Sequence, residues 1–290
     1  MVMKLSDLYL QARQALLQTE DAQSAGRMAR DLLTHVTGKP REAILTDGSL
    51  LVKEAECQAM AAAVDRLLAG EPLAYVLGKW EFYGMSLAVD RDVLIPRDDT
   101  CAVTALAIQK ALFLSEKPRI LDLCTGSGCI GLAIAHRVPD AKVTLADISP
   151  NALAVAKQNI VAHHLSARVS CVRADALAAP PAFLGKFDMI VANPPYVTTR
   201  EMEELPPSVK DYEPSLALHG GEDGLDFYRA IAKHYAAALK PGGYLCLEFG
   251  MGQGDDVSRI LAGNGYTILE RTRDYNDRER ALIAQWKEDG

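Results

Sequence analysis

Apolar side chains recur at every third or fourth position through the first 70 residues of the chain. This spacing predicts three helices, over residues 5–19, 24–38 and 53–70. Glycine stands at the end of the second and third segments, where helices commonly terminate. We therefore expect a small all-α domain over residues 1–72.

The spacing of apolar positions changes after this domain. Residues 73–97 are predicted to be a linker with a short β-hairpin, because apolar and polar positions alternate there. Over residues 98–290, short apolar runs alternate with helical patterns, which is typical of an α/β fold with a doubly wound, mostly parallel sheet. The predicted strands are residues 119–123, 142–147, 168–172, 187–192 and 244–249, and the predicted helices are 127–137, 150–163, 226–240 and 252–262.

Composition and charge narrow the classes of function. The 290 residues carry a net charge of −7, and residues 1–71 have no basic stripe, so a nucleic acid is a disfavoured partner. The six cysteines form no C-x-x-C pair, which argues against a structural metal site. No signal peptide and no membrane-spanning segment is apparent, and we expect a cytoplasmic location.

A glycine-rich turn follows the first predicted strand of the α/β region. Gly126, Gly128 and Gly131 let the backbone turn sharply and approach a ligand closely. The spacing also fits a dinucleotide fingerprint, so an NAD enzyme is one interpretation, and a tight turn without any ligand is another.

Two acidic residues follow the next two predicted strands. Asp147 is placed to accept hydrogen bonds from both hydroxyls of a ribose, and Asp175 suits the amino group of an adenine. Ligands of doubly wound sheets bind at the carboxyl ends of the strands. Together with the glycine turn, these residues predict a nucleoside pocket.

The sequence Asn193-Pro194-Pro195-Tyr196 directly after the fourth strand is the most specific signal in the chain. An amide or aromatic amino nitrogen is a weak nucleophile, because its lone pair is delocalised. The Asn193 side-chain oxygen and the Pro194 carbonyl can grip both N–H bonds of such a nitrogen and aim its lone pair. Pro195 fixes the direction of that carbonyl, and Tyr196 offers its ring face to the developing positive charge.

This arrangement indicates methyl transfer from S-adenosylmethionine to a planar nitrogen. The cofactor carries an activated methyl group, so positioning and electrostatic stabilisation suffice for the reaction. We expect no covalent enzyme intermediate and no metal ion. The residues assigned to catalysis are Asn193, Pro194 and Tyr196.

At this point the chain resembles the class I amino-methyltransferases, and within them the bacterial N5-glutamine methyltransferases of peptide chain release factors. The resemblance rests on the glycine turn, the Asp147 strand end and the Asn-Pro-Pro-Tyr sequence. It extends through residues 81–84, 94–97, 213–229, 241–253 and 274–282, and therefore covers nearly the whole chain.

The resemblance implies a role for each matching position. It implies that Asn193, Pro194, Pro195 and Tyr196 hold the substrate glutamine, which lies in a Gly-Gly-Gln loop of the release factor. The expected product of the cofactor is S-adenosylhomocysteine. The residues expected at the cofactor are Cys124, Thr125, Gly126, Ser127, Gly128, Asp147, Asp175, Ala176 and Asn193.

The chain departs from the family pattern in two places. Asp98 and Cys101 stand where the family shows proline and an acidic residue, which affects the substrate side of the site and any contact of Arg97 with the cofactor carboxylate. Cys124 opens the glycine turn where glycine is usual. The turn should tolerate this cysteine if residue 124 has a negative φ.

Other functions remain open from the sequence. Methylation of a ribosomal-protein glutamine is closely related chemistry. DNA adenine methylation also uses Asn-Pro-Pro-Tyr, but it needs a basic recognition surface and base flipping. A third alternative is a binding module that has kept a nucleoside pocket without turnover.

Overall fold

The computed structural model describes residues 3–46 and 48–287. The chain forms two compact units. One comprises Met1–Lys79 together with Pro207–Tyr212, and the other comprises Trp80–Pro206 and Glu213–Gly290. Among the described residues, no helix has both the length and the apolar character needed to cross a membrane.

The first unit is a helical bundle around a buried apolar cluster that includes Leu5, Leu16, Leu32 and Met60. The second helix begins after Asp21, whose carboxylate accepts hydrogen bonds from two backbone N–H groups of the first turn. A two-residue β-ladder also joins the start of the chain to the segment before the fourth helix, and the hydrophobic pattern does not predict it. The elements are α1 (Leu5–Leu16), α2 (Ala22–Thr37), α3 (Arg41–Thr46), α4 (Glu54–Leu68), α5 (Leu73–Leu77), α10 (Pro207–Lys210), β1 (Met3–Lys4) and β2 (Leu51–Val52).

The second unit contains a seven-stranded sheet of order β10-β11-β9-β8-β5-β6-β7. The five predicted strands are all present and parallel, whereas β10 and β11 add an antiparallel edge that the pattern did not predict. The fold is therefore α/β and doubly wound, as the sequence predicts. The strands are β5 (Arg119–Leu123), β6 (Lys142–Asp147), β7 (Val169–Arg173), β8 (Phe187–Ala192), β9 (Leu239–Glu248), β10 (Tyr266–Arg273) and β11 (Glu279–Trp286).

Helices cover both faces of this sheet, and each face buries its own apolar cluster. The strand order reverses beside β5, which pairs with β6 on one side and with β8 on the other. At such a switch point the connecting helices lie on opposite faces, and a crevice opens at the carboxyl ends of the strands. The helices are α6 (Cys101–Ala111), α7 (Cys129–Arg137), α8 (Pro150–Ala162), α9 (Thr199–Glu204), α11 (Asp226–His234) and α12 (Gly254–Ala262).

The predicted hairpin is formed by β3 (Lys79–Phe82) and β4 (Met85–Ala88). Asn159, fully buried on α8, ties this hairpin to the switch point. Its side-chain oxygen accepts from Ala88 N at 2.7 Å, and its amide nitrogen donates to Ala88 O at 3.0 Å and to Ser127 O at 2.9 Å. One side chain thus fixes the turn after β5 against the hairpin.

Candidate active site

Asp122, the fourth residue of β5, stabilises the glycine turn that follows this strand. This buried carboxylate accepts hydrogen bonds from the Thr125 hydroxyl at 2.6 Å and from Gly131 N at 2.9 Å. Burial raises the pKa of Asp122 to about 7. Sequence reasoning did not assign Asp122 to the site, although an acidic residue inside an apolar strand was a usable signal.

The glycines of the turn have separate functions. Gly126 has φ +53°, and a Cβ built on it would meet no other atom within 4 Å, so its backbone borders open space. Gly128 caps the N-terminus of α7 with φ +86°. At Gly131, a Cβ would lie 2.3 Å from the Leu145 side chain and 2.9 Å from the Asp122 carboxylate. Close packing of α7 on the sheet therefore requires glycine at that position.

Cys124 has φ +60°, so the condition under which the turn would accept a cysteine without strain is not met. The turn requires the left-handed conformation at its first residue, which costs a side chain with a Cβ about 1–2 kcal/mol. The Cys124 side chain packs against the apolar cluster on one face of the sheet, which offsets part of this cost. Burial raises the pKa of its thiol well above the ordinary value.

The two predicted acidic residues lie at the ends of β6 and β7. The Asp147 carboxylate accepts from Gly126 N at 2.9 Å and from Ser149 N at 3.0 Å, while desolvation raises its pKa. Asp175 is half-buried and accepts from Leu177 N at 2.8 Å. Each carboxylate oxygen has more than one lone pair, so both residues keep capacity to accept from a ligand.

A cavity of about 280 Å³ lies at the carboxyl ends of these strands. It brings together most of the residues predicted at the site: Cys124, Thr125, Gly126, Ser127, Asp147, Asp175, Ala176, Asn193 and Pro195. Gly128, Pro194 and Tyr196 do not line it.

Further apolar residues complete the cavity wall and were not predicted individually. Leu94, Pro96, Leu216 and Phe227 are among them. All four lie in the segments 94–97 and 213–229, which carried the family resemblance and could have indicated them. They give the cavity the largely apolar lining that is common in small-molecule sites.

Asn193 lines this cavity and carries a buried polar atom without a partner among the described residues. Its amide nitrogen donates to Thr100 Oγ1 at 3.3 Å, but its oxygen is buried and has no hydrogen-bond partner among the described residues. The Ser127 hydroxyl, also at the cavity, is buried without a partner in the same part of the chain. Buried polar atoms are normally paired, so both atoms indicate a site for a ligand.

The rest of the Asn-Pro-Pro-Tyr loop is packed into the protein and hydrogen-bonded to neighbouring segments. Pro194 and Pro195 are buried, and Tyr196 is half-buried, with burial raising the pKa of its phenol to about 12. The Gln253 side-chain amide donates to Tyr196 O at 3.2 Å. Val197 donates to Leu218 O at 2.9 Å, which joins the loop to the segment before α11.

Three glycines allow this close fit around Tyr196. A Cβ at Gly220 would lie 2.7 Å from Tyr196 Cα, one at Gly224 would lie 2.3 Å from its carbonyl oxygen, and one at Gly250 would lie 3.0 Å from its ring. The sequence analysis did not assign these glycines or Gln253 to the site. The signal was their position in segments 213–229 and 241–253.

The charged residues beside the loop pair with one another. Arg97 forms an ion pair with the buried carboxylate of Glu213, which also accepts from Ile95 N at 3.2 Å. Arg280 contacts Asp99 at 3.0 Å and Asp274 at 3.3 Å. Asp98, one of the departures from the family pattern, lies in the short 3₁₀ turn Asp98–Thr100.

The fold, the glycine turn and the Asn-Pro-Pro-Tyr loop together define a class I methyltransferase. A family model for the methyltransferase small domain matches residues 99–205, and one for the PrmC N-terminal domain matches residues 7–78. A methyltransferase structure from Pyrococcus furiosus shares the fold, with a TM-score of 0.52, 17% identity, and coverage of 79% of this chain and 100% of that one.

Curated relatives identify the family within this class. A release factor glutamine methyltransferase of Clostridium acetobutylicum is 36% identical over 97% of this chain and 98% of its own length. One from Chlorobaculum tepidum is 39% identical over 87% of each chain. The chain belongs to the release factor glutamine methyltransferase family.

Proposed function

We propose that this enzyme transfers a methyl group from S-adenosylmethionine to the side-chain amide nitrogen of the glutamine in the Gly-Gly-Gln loop of a peptide chain release factor. One observation carries the proposal. Asn193, whose side-chain oxygen has no partner among the described residues, and Gly126, whose backbone borders open space, line the same cavity, within a chain related over almost its whole length to enzymes named for this activity.

The cavity residues fit the cofactor. Asp147 and Asp175 offer acceptors to ribose hydroxyls and to an adenine amino group, and Ser127 Oγ offers a hydroxyl without a protein partner. Gly126 leaves room for close approach, because no Cβ intervenes. When bound, S-adenosylmethionine supplies a methyl group activated by a sulfonium centre.

The protein contributes the geometry of the acceptor nitrogen. Asn193 Oδ1 and the Pro194 carbonyl act as two acceptors for the two N–H bonds of the substrate amide. Gripping both hydrogens directs the nitrogen lone pair towards the methyl donor and offsets the loss of amide conjugation as a bond forms. Pro195 keeps the preceding residue extended, and Gln253 holds the Tyr196 carbonyl, so the acceptors keep their positions.

The helical unit is the part of the chain that we propose docks the release factor. Leu10 of α1 and Leu17, the residue that follows the helix as its C-cap, are seven positions apart and are 54% and 37% exposed. Such exposed leucines suit a protein surface, whereas the unit lacks a basic stripe for a phosphate backbone. Binding energy from such remote contacts can orient the reacting glutamine.

Radiolabel transfer from S-adenosylmethionine tests both proposals together. We expect labelling of intact release factor, weak labelling of a short Gly-Gly-Gln peptide, and none of DNA. The double variant Leu10→Ser/Leu17→Ser should lose most of its kcat/KM on the intact factor and none on the peptide. Leu112→Ser/Leu269→Ser, which changes two leucines exposed on the other unit, is the matched control.

The outcomes separate the alternatives. Labelled adenine in DNA would show that the enzyme methylates nucleic acid and would contradict the proposal. Preferential labelling of a ribosomal protein would show that this protein, and not the release factor, is the substrate. Equal kcat/KM for the leucine variant and wild type on the intact factor would remove the docking role of α1 while leaving the chemistry in place.

A further inference from the structure

The two ends of the Asn193 amide have different environments. The nitrogen end points to Thr100 Oγ1 at 3.3 Å, and the oxygen end is buried without a partner among the described residues. The two flipped orientations of a side-chain amide occupy nearly the same volume, so only the partners of each end decide between them. In the flipped orientation, an NH₂ group would oppose the N–H bonds of the substrate amide. The reaction therefore depends on what holds the nitrogen end.

Glu248 lies beside Asn193 at the ends of two neighbouring strands. It is the last residue of β9, which runs parallel to β8, and the register pairs Ala192 with Leu247, so Asn193 and Glu248 follow side by side. Glu248 is only 1% exposed. Its Oε2 is buried and has no hydrogen-bond partner among the described residues, while the side chains of Thr100 and Asn193 lie near enough to lower its pKa against the effect of desolvation. Asn193 Nδ2 donates one hydrogen to Thr100 Oγ1, and the Glu248 carboxyl is the neighbouring acceptor for the other.

We propose that Glu248 is a positioning residue that acts through Asn193. Together with Thr100, it keeps the amide nitrogen turned into the protein, so that Asn193 Oδ1 faces the nitrogen to be methylated. This inference rests on the proposed function and explains why a carboxyl group is buried at the end of β9.

The neighbouring charges leave Glu248 free for this role. Arg280 is already engaged with Asp99 and Asp274 and makes no direct ion pair with Glu248 among the described residues. Desolvation raises the pKa of Glu248 to about 8, with Asp99 adding to the rise and Arg280 opposing it. A neutral carboxyl keeps a carbonyl acceptor for the Asn193 N–H, so the positioning contact does not require a charge.

Two substitutions separate this role from a structural one. Glu248→Met removes the acceptor but keeps the volume, and exchange of a buried carboxyl for an apolar side chain of similar size is often tolerated by the fold. Glu248→Gln keeps a carbonyl acceptor and removes the titration. We expect Glu248→Met to lower kcat on the release factor about ten- to a hundred-fold, since small misplacements of catalytic groups cost this much. Glu248→Gln should retain most of the rate, and cofactor affinity should stay within about three-fold in both.

A double-mutant cycle shows whether Glu248 acts through Asn193. In an Asn193→Ala background, Glu248→Met should change the residual rate less than about two-fold, because the group that it positions is gone. A further ten-fold loss there would overturn the inference, as would a normal rate for Glu248→Met alone or equal damage from Met and Gln. A wild type that does not methylate the release factor would overturn the proposed function and this inference with it. An active wild type with an equally active Glu248→Met overturns the inference only.

Discussion

The carboxylate of Asp147 accepts a hydrogen bond from the backbone nitrogen of Gly126 at 2.9 Å. This bond connects the end of β6 to the glycine turn after β5, and both residues line the same cavity. A single side chain therefore shapes the turn and also offers acceptor capacity to a ligand. Removal of the Asp147 side chain should therefore weaken cofactor binding in two ways, through the shape of the turn and through the lost acceptor.

The first prediction is that Asp147→Ala weakens binding of S-adenosylmethionine by about 1–3 kcal/mol, the usual cost of unpaired hydrogen-bonding groups. Isothermal titration calorimetry measures this directly. Asp140→Ala, at an exposed position shortly before β6, is the control and should bind normally. Unchanged affinity for Asp147→Ala would place the ribose contact elsewhere, and preferential binding of NAD would remove the cofactor assignment.

The second prediction concerns the left-handed backbone at Cys124. Cys124→Gly removes the Cβ that this conformation penalises, and the relief of about 1–2 kcal/mol exceeds the added entropy of glycine in the unfolded chain. We expect the free energy of unfolding to rise by up to about 1 kcal/mol in urea titrations. Cys124→Ala keeps the Cβ and should show no gain. Equal stabilisation by Ala and Gly would show that the thiol, and not the backbone, is the source of the strain.

The third prediction compares two glycines that both lie within helices. A Cβ at Gly131 of α7 would overlap Leu145, whereas one at Gly26 of α2 would come no closer than 3.4 Å to a neighbour. Gly131→Ala should destabilise the protein by about 1–3 kcal/mol through overpacking and weaken cofactor binding. Gly26→Ala should be neutral or stabilising by up to about 1 kcal/mol. Two variants with the same thermal stability and the same cofactor affinity in calorimetry would contradict this difference in packing.

The fourth prediction is a pH dependence of stability. Burial raises the pKa of Asp122 to about 7 and that of Glu248 to about 8, from unfolded values of 3.8 and 4.5. The native state then holds protons that the unfolded chain releases, so the free energy of unfolding falls as pH rises from about 5 to about 8 and levels off above. Glu248→Gln removes one of these groups and should flatten the decline in urea titrations.

A surface substitution provides the control for that experiment. Glu204→Gln changes an exposed carboxyl on α9 and should leave the pH slope unaltered. A wild type whose free energy of unfolding rises between pH 5 and 8 would contradict the presence of buried neutral carboxyl groups. A Glu248→Gln variant whose free energy of unfolding falls as steeply with pH as that of wild type would contradict it for Glu248.

The parallel part of the sheet was predictable because β5, β6 and β8 are apolar runs bounded by turn residues. The antiparallel edge was not predictable in the same way. Residues 280–284 of β11 are continuously buried, and such a run has no alternation that separates a strand from a short helix. The partner strand β10 has a half-exposed, charged sequence that gains its conformation from pairing with β11.

Site residues could be predicted from the sequence where the residue type itself indicates a chemical role. The Asn193 tetrad and Asp147 could be chosen because their donors and acceptors suit a planar nitrogen and a ribose. Segment 241–253 includes Glu248 and Gln253, but their residue types do not indicate the role proposed for Glu248 or the contact of Gln253 with Tyr196, because both depend on residues far away in the sequence. The positive φ of Cys124 could not be predicted from the sequence either. The conformation of the surrounding backbone determines this angle, and the identity of the side chain does not.

The most direct test is mass spectrometry of purified release factor after incubation with the enzyme and S-adenosylmethionine. We predict a mass increase of one methyl group on the peptide that contains Gly-Gly-Gln, with fragment ions that place it on the glutamine side chain. Asn193→Ala should bind the cofactor within a few fold of wild type and lose most of this product. Methylation at another residue, or a normal rate for Asn193→Ala, would contradict the account.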